Sequence, residues 1–175
     1  MTQSQASESD SHGANLLRNG QSVWVAKSGR QCDEPTDRAL LALFRAIASG
    51  AERDVSRRLD ASPDLVIRPI RIGASRDHAE TYFLTGIHHY VYGGDTALHI
   101  SAAAHQPRVA KSLVTRGADV RARNRRGAEP LHYAADGGPA EDGWDPVAQR
   151  DVITYLIEAG ADPNALDKSG VAPLH

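Results

Sequence analysis

The stretch GAEPLH, residues 127–132, decides the fold of this chain because similar stretches precede and follow it. Residues 94–99 read GDTALH, and residues 170–175 read GVAPLH. Leu98 and Leu131 are 33 residues apart, whereas the next such leucine comes after 43 residues. A period of about 33 residues is typical of stacked repeat proteins, and the longer second interval indicates a loop insertion of ten residues.

A second motif recurs with the same long interval. The triplet Gly-Ala-Asp at 117–119 returns at 160–162. Together the two motifs resemble the ankyrin repeat, whose signature opens with Thr-Pro-Leu-His and closes with Gly-Ala-Asp. The resemblance is clear over residues 94–175 and weak over 37–66. The residues that match the structural motif are Thr96, Leu98, His99, Gly117, Asp119, Pro130, Leu131, His132, Gly160 and Asp162.

The resemblance implies an all-α solenoid of stacked helix-turn-helix units over residues 36–175. Each unit buries its apolar face against the next, and terminal units often depart from the consensus. We therefore expect a degenerate repeat at 36–66, an insertion at 67–93, a repeat at 94–126, a repeat with a ten-residue insertion at 127–169 and a truncated repeat at 170–175. The truncation predicts that the chain is a fragment.

The first 35 residues are polar and differ in composition from the rest. They are rich in Ser, Gln, Gly, Asp and Glu and contain few apolar side chains. Such segments cannot bury enough apolar surface to offset the loss of chain entropy. We predict a mostly disordered tail at 1–35.

The end of the insertion at 67–93 has the composition of β-structure. Residues 80–92 are rich in β-branched and aromatic side chains around a central Gly86. This pattern predicts a β-hairpin that turns near Thr85-Gly86. Three of its tyrosines, Tyr82, Tyr90 and Tyr92, are candidates for contact with a partner, because tyrosine is enriched at interface hot spots. The alternative is that they pack on the first repeat.

Composition and charge exclude several classes of protein. A net charge of −2 requires neither a nucleic-acid nor a membrane partner. The single cysteine, Cys32, cannot form an internal disulfide framework. Residues 1–20 lack the apolar core of a signal peptide, and no apolar run reaches 18 residues. We expect a soluble cytoplasmic protein, and the oligomeric state stays open.

Four arginines crowd the segment that connects the second and third repeats: Arg121, Arg123, Arg125 and Arg126. In the ankyrin family this segment, the finger, projects beside the concave groove where partners bind. The arginines are therefore candidates for recognition of an acidic protein surface, and simple solvated charge is the alternative. Nucleic acid is not expected, since the segment lacks interleaved aromatic residues.

The ten-residue insertion contains one large apolar residue, Trp144. It lies in the Gly-, Pro- and Asp-rich segment 137–146. Loops on one face of a solenoid commonly carry binding. Trp144 is therefore either a contact residue or a side chain that folds back to close its own loop.

The histidines suggest structure more strongly than chemistry. In the ankyrin family the motif histidine, here His99 and His132, hydrogen-bonds the backbone and the capping hydroxyl and joins repeats. His78, His88 and His89 form the densest set of possible metal ligands. Adjacent residues of a strand point to opposite faces, so only His88 or His89 could join His78. A regulatory metal site is an alternative hypothesis, while the main prediction includes no metal and no cofactor.

Catalytic motifs are absent from the sequence. It contains no nucleophile elbow, no phosphate-binding glycine loop and no His-Glu-x-x-His motif. The ankyrin resemblance implies a protein–protein interaction module without chemistry of its own. A second hypothesis is that the repeats are the targeting arm of a longer protein, such as an enzyme or effector.

Overall fold

The computed structural model describes residues 15–18, 21–24, 35–138 and 143–174. Contacts divide the chain into two compact units, Met1–Gln31 and Cys32–His175. The described part of the first unit is a pair of antiparallel strands, β1 (Asn15–Arg18) and β2 (Gln21–Trp24). The mostly disordered tail at 1–35 stays a prediction, because most of that segment lies outside the described residues.

The described part of the second unit contains three pairs of helices. The described helices are α1 (Pro35–Ala48), α2 (Glu52–Ala61), α3 (Ala97–Ala103), α4 (Pro107–Thr115), α5 (Pro130–Ala135) and α6 (Pro146–Glu158). The first helices of the pairs stack in the order α1, α3, α5, and α4 packs against α6. This arrangement confirms the predicted all-α solenoid. None of these described helices is long and apolar enough to cross a membrane.

The repeated leucines explain why the helix pairs stack. Leu98 and Leu131 lie in the first turns of helices α3 and α5, and both are fully buried in one continuous core. Small residues such as Ala102 and Ala134 lie beside them and are also inaccessible to solvent. Small side chains let neighbouring helices approach closely, so thin layers of helices bury a core that contains few large aromatic residues.

The predicted hairpin exists but is much shorter than the sequence pattern suggested. Strands β3 (Phe83–Leu84) and β4 (His89–Tyr90) contain two residues each and pair in antiparallel register. A 3₁₀ turn at Thr85–Ile87 connects them. Gly86 in this turn packs tightly against α1, since a Cβ atom there would lie 2.7 Å from the carbonyl oxygen of Ala48. Packing on α1 thus replaces longer strand pairing.

The insertion is tied together at its base. The amide of Ala74 donates to the carbonyl of Val91 at 2.7 Å, and the amide of Ile70 donates to the carbonyl of Asp95 at 2.8 Å. The insertion leaves and rejoins the solenoid at one place. It is therefore a loop added to a regular stack rather than a separate layer.

Candidate functional site

The motif histidines connect each repeat to the next. His99 is fully buried, and its Nδ1 accepts a hydrogen bond from the amide of the capping residue Thr96 at 3.2 Å. Its Nε2 then donates to the carbonyl of Ala128 in the following repeat, at 3.1 Å. His132 makes the equivalent bonds, with its Nε2 3.2 Å from the carbonyl oxygen of Val171. These rings are structural links, because both nitrogens are occupied.

A buried polar cluster lies beside His99, and its centre is the carboxylate of Asp95. This side chain is fully buried. It accepts hydrogen bonds from Asn124 Nδ2 at 2.8 Å, the hydroxyl of Tyr133 at 3.0 Å and the amide of Tyr92 at 2.7 Å. A buried carboxylate is tolerated only when such donors replace water.

Asn124 has a second role in the same cluster. Its Oδ1 accepts hydrogen bonds from the amides of Arg126 and Ala128, at 2.9 and 3.0 Å, and so shapes the finger turn. Asp167 makes the equivalent pair of bonds in the last finger, at 2.7 and 3.0 Å. An aspartate at position 124 could form the same turn. It would lack the side-chain N–H group with which Asn124 donates a hydrogen bond to Asp95.

Sequence reasoning missed this cluster, although a signal was present. Asp95 occupies the position that follows the motif glycine, where the other two repeats have Ala128 and Val171. A carboxylate at a position that is otherwise apolar is unusual inside a repeat. This difference at one motif position could have indicated that Asp95 has a buried polar partner in the next repeat.

The cluster also determines the protonation of its neighbours. Burial, reinforced by Asp95, raises the pKa of Tyr133, so its hydroxyl remains a donor. Burial lowers the pKa of His99 and of His89, against a smaller opposing effect of Asp95. The His89 ring packs edge-on against Tyr133 with centroids 4.6 Å apart. Both histidines are therefore held in the neutral form near pH 7.

The structure does not assemble the hypothetical metal site. His78, His88 and His89 all belong to the described residues, and within this described part no three His, Cys, Asp or Glu side chains come together as metal ligands. His88 is exposed and has a left-handed backbone with φ of 46°. His89 instead packs inward on Tyr133. The two adjacent histidines thus lie in different environments, one exposed to solvent and the other packed against an aromatic ring.

The four arginines divide into two pairs. Arg121 pairs with Asp162 at 3.7 Å, and Arg123 binds Glu129 at 3.2 Å and the carbonyl of Leu166 at 2.7 Å. Asp162 and Leu166 both lie after α6, in the following finger region. Arg121 and Arg123 therefore tie one finger to the next.

The second pair faces the hairpin instead. The guanidinium of Arg126 lies over the ring of Tyr92, 4.9 Å from its centroid. Arg125 reaches the carbonyl of Ala74 at 3.4 Å. Tyr90 lies two residues before Tyr92 in the sequence and is 41% exposed. We call the set Tyr90, Tyr92, Arg125 and Arg126 the Tyr92–Arg126 surface.

Tyr82 does not belong to this surface, which corrects its inclusion among the contact residues. Only 2% of Tyr82 is exposed, and it belongs to the same core as the helices. A short 3₁₀ helix, Glu80–Tyr82, turns the ring inward before β3 begins. Packing on the first repeat, the alternative that the sequence left open, accounts for this tyrosine.

Trp144 is anchored and yet lines a cavity. Its Nε1 donates to Oε1 of Gln149 at 2.8 Å, and Gln149 in turn donates to the carbonyl of Ala134 at 3.1 Å. The next residue, Asp145, caps α6 by accepting from the amides of its first turn. The half-buried indole lines a cavity of about 520 Å³ together with the hairpin turn. We call this space the Trp144 cavity.

The stacked helix pairs, joined by capping histidines, define a helical repeat protein of the ankyrin type. The family model described as "Ankyrin repeats (3 copies)" matches residues 73–167. The chain belongs to the ankyrin repeat family. Ankyrin repeats are generic protein-interaction modules and are not catalytic in themselves.

Similar stretches occur in proteins of very different length. The E3 ubiquitin-protein ligase KEG of Arabidopsis thaliana is 37% identical over 84 residues, 47% of this chain and 5% of that protein. Ankyrin repeat and SOCS box protein 6 of Mus musculus is 39% identical over 80 residues, 45% of this chain and 17% of that protein. Notch-regulated ankyrin repeat-containing protein A of Danio rerio is 41% identical over 64 residues, which are 37% of this chain and 48% of that protein. This chain covers less than half of each relative's length.

Proposed function

We propose that this chain is a protein-interaction module that binds an acidic segment of a partner protein through the Tyr92–Arg126 surface. The observation that carries the proposal is the stacking of Arg126 on Tyr92, with the guanidinium carbon 4.9 Å from the ring centroid. Tyrosine and arginine are enriched at the energetic centres of protein interfaces. Stacking also limits the motion of the arginine, which lowers the entropy lost on binding.

The chemistry of the surface favours a carboxylate. Within the described residues, neither Arg125 nor Arg126 forms an ion pair with an acidic side chain, whereas Arg121 and Arg123 both do. A guanidinium stacked on a ring keeps the N–H groups at its edge available. These can form two parallel hydrogen bonds to one carboxylate.

Arg121 and Arg123 have a supporting place in the proposal. Their side chains are 57% and 51% exposed although they bind the following finger region. They extend the positive charge along the finger, and such charge accelerates encounter with an acidic partner more than it strengthens the complex.

Charge reversal tests the surface. We expect Arg125→Glu/Arg126→Glu to weaken binding of a fluorescein-labelled oligoglutamate peptide at least about tenfold, because two charge-assisted contacts are each worth about 1.5 kcal/mol or more. Fluorescence anisotropy across a salt series measures the affinity. The matched control is Arg53→Glu/Arg108→Glu, which changes the net charge equally on exposed sites of α2 and α4. Equal losses of affinity in both variants would show that the effect comes from net charge alone, which would contradict the proposal.

A second candidate function is that of a binding arm within a longer protein. It is favoured by the ligase and the SOCS box protein, in which the matched stretch makes up 5% and 17% of the protein. An antibody against residues 94–126 should then detect, in an immunoblot of source cells, a protein clearly larger than a 175-residue chain. A single band at the mass of this chain would exclude the arm.

A further inference from the structure

The Trp144 cavity lies where two additions to the repeat pattern meet the ends of two helices. Its walls come from the C-terminal ends of α1 and α3, the 3₁₀ turn of the hairpin and the residues before α6. Its volume of about 520 Å³ is within the range of pockets that hold small ligands or side chains. The residues that matter for its chemistry are Ser49, Ile87, Ala104, His105, Gln106 and Trp144.

Several hydrogen-bond acceptors around this cavity have no partner among the described residues. The last carbonyls of a helix have no partner within the helix and point beyond its C-terminus. Those of Ser49 and Ala104 accept no hydrogen bond from the described part of the chain. The Nε2 of Gln106 donates to the carbonyl of Ile47 at 2.7 Å, which leaves its buried Oε1 without a partner among the described residues.

His105 adds another acceptor. Its Nε2 lies 3.1 Å from the carbonyl oxygen of Asp136, so this nitrogen carries the proton. In a neutral imidazole the other nitrogen, Nδ1, must then be an acceptor. The backbone of His105 is left-handed, with φ of 48°, a conformation that is uncommon for a residue other than glycine.

An aromatic wall completes the cavity. Trp144 is held by its hydrogen bond to Gln149, so the indole is a fixed surface rather than a mobile contact residue. Indole attracts cations more strongly than the other aromatic side chains. Neither lysine nor arginine lines the cavity.

We propose that the Trp144 cavity binds a lysine side chain from an extended segment of a partner protein. The ammonium group offers three donors to the clustered acceptors, and its charge interacts with the indole. The apolar stem of the lysine lies against Ile87 and Ala104. This site has the opposite charge preference to the Tyr92–Arg126 surface and does not depend on it.

Binding of capped tripeptides tests the proposal directly. The chain has two tryptophans, so Trp24→Phe leaves Trp144 as the only indole. Its N–H signal in a proton–nitrogen NMR spectrum is followed during titration with acetyl-Ala-Lys-Ala-amide. Matched peptides carry norleucine, which has the same stem without the charge, or glutamate at the central position.

The expected order is lysine, then norleucine, then glutamate. We expect the lysine peptide to shift the signal to saturation and to bind about 3- to 25-fold more tightly than the norleucine peptide, the range that a cation–π contact supports. Equal binding of lysine and norleucine would make the cavity a merely apolar one. A preference for glutamate, or no shift with any of the three peptides, would also overturn the proposal.

Opposite charges at one wall position provide an independent check. Ala104→Glu should strengthen binding of the lysine peptide and Ala104→Lys should weaken it, each about threefold or more, because a charge at this partly exposed wall interacts with the bound ammonium. Circular dichroism establishes that both variants are folded. Changes in the same direction for the two variants would show that the ammonium does not lie at this wall.

Discussion

Replacing Asn124 with aspartate should destabilise this protein by about 3 kcal/mol, because a hydrogen bond to a buried carboxylate is lost and a second carboxylate is buried beside it. The new carboxylate would still accept the two finger amides, as Asp167 does in the last finger. However, the donor that lies 2.8 Å from the carboxylate of Asp95 would be lost, and two buried carboxylates would face each other. Urea denaturation followed by circular dichroism measures the free energy of unfolding.

The reverse substitution in the last finger is the matched control. Asp167→Asn should change stability by less than about 1 kcal/mol, because the amide oxygen keeps the two turn hydrogen bonds at an exposed site. The same pair of residue types is thus expected to be exchangeable at 167 and not at 124. Similar small effects at both positions would show that the Asp95 cluster contributes little to stability.

Lowering the pH from 6.5 to 5.5 should reduce the free energy of unfolding, by at most about 1 kcal/mol for each of two histidines. Burial lowers the pKa of His99 and of His89 in the folded state, whereas both titrate near 6.5 in the unfolded chain. As the pH falls through this window, the unfolded state takes up protons that the folded state does not. Stability therefore rises with pH here, and equilibrium unfolding at several pH values measures the slope.

His89→Phe separates the two contributions. Phenylalanine keeps the ring that packs on Tyr133 and removes a buried Nε2 that has no hydrogen-bond partner among the described residues. The variant should lose less stability than the wild type over the same pH interval and should be close to wild type in stability at pH 7.5. If the slope of stability against pH is the same as in the wild type, the pKa of His89 is not lowered by folding.

The repeat motif was predictable because its residues act locally. The leucines at 98 and 131 occupy the first turn of an inner helix, and each motif histidine binds the cap of its own helix. Local hydrogen bonds and apolar spacing are written directly in the sequence. The same argument predicted a hairpin around Gly86, but its length depends on contacts with α1 that no local pattern contains.

The Tyr92–Arg126 surface was only partly predictable from the sequence, because it too depends on contacts between distant segments. Four arginines within six residues look equivalent in the sequence, yet two bind the following finger region and one stacks on Tyr92. Tyr82 and Tyr90 have similar neighbours in the sequence, but one is buried and the other is 41% exposed. Which side chains remain available depends on segments that are distant along the chain.

The recurring pattern of helix caps and buried leucines is enough to predict the ankyrin stack, since these residues act within their own repeat. The use of the insertions follows instead from contacts between distant segments. The tertiary structure joined Tyr92 to Arg126, placed Trp144 beside the hairpin turn and enclosed Asp95 between Asn124 and Tyr133. These contacts join residues from different repeats, so their energies depend on the packed chain and not on local propensity.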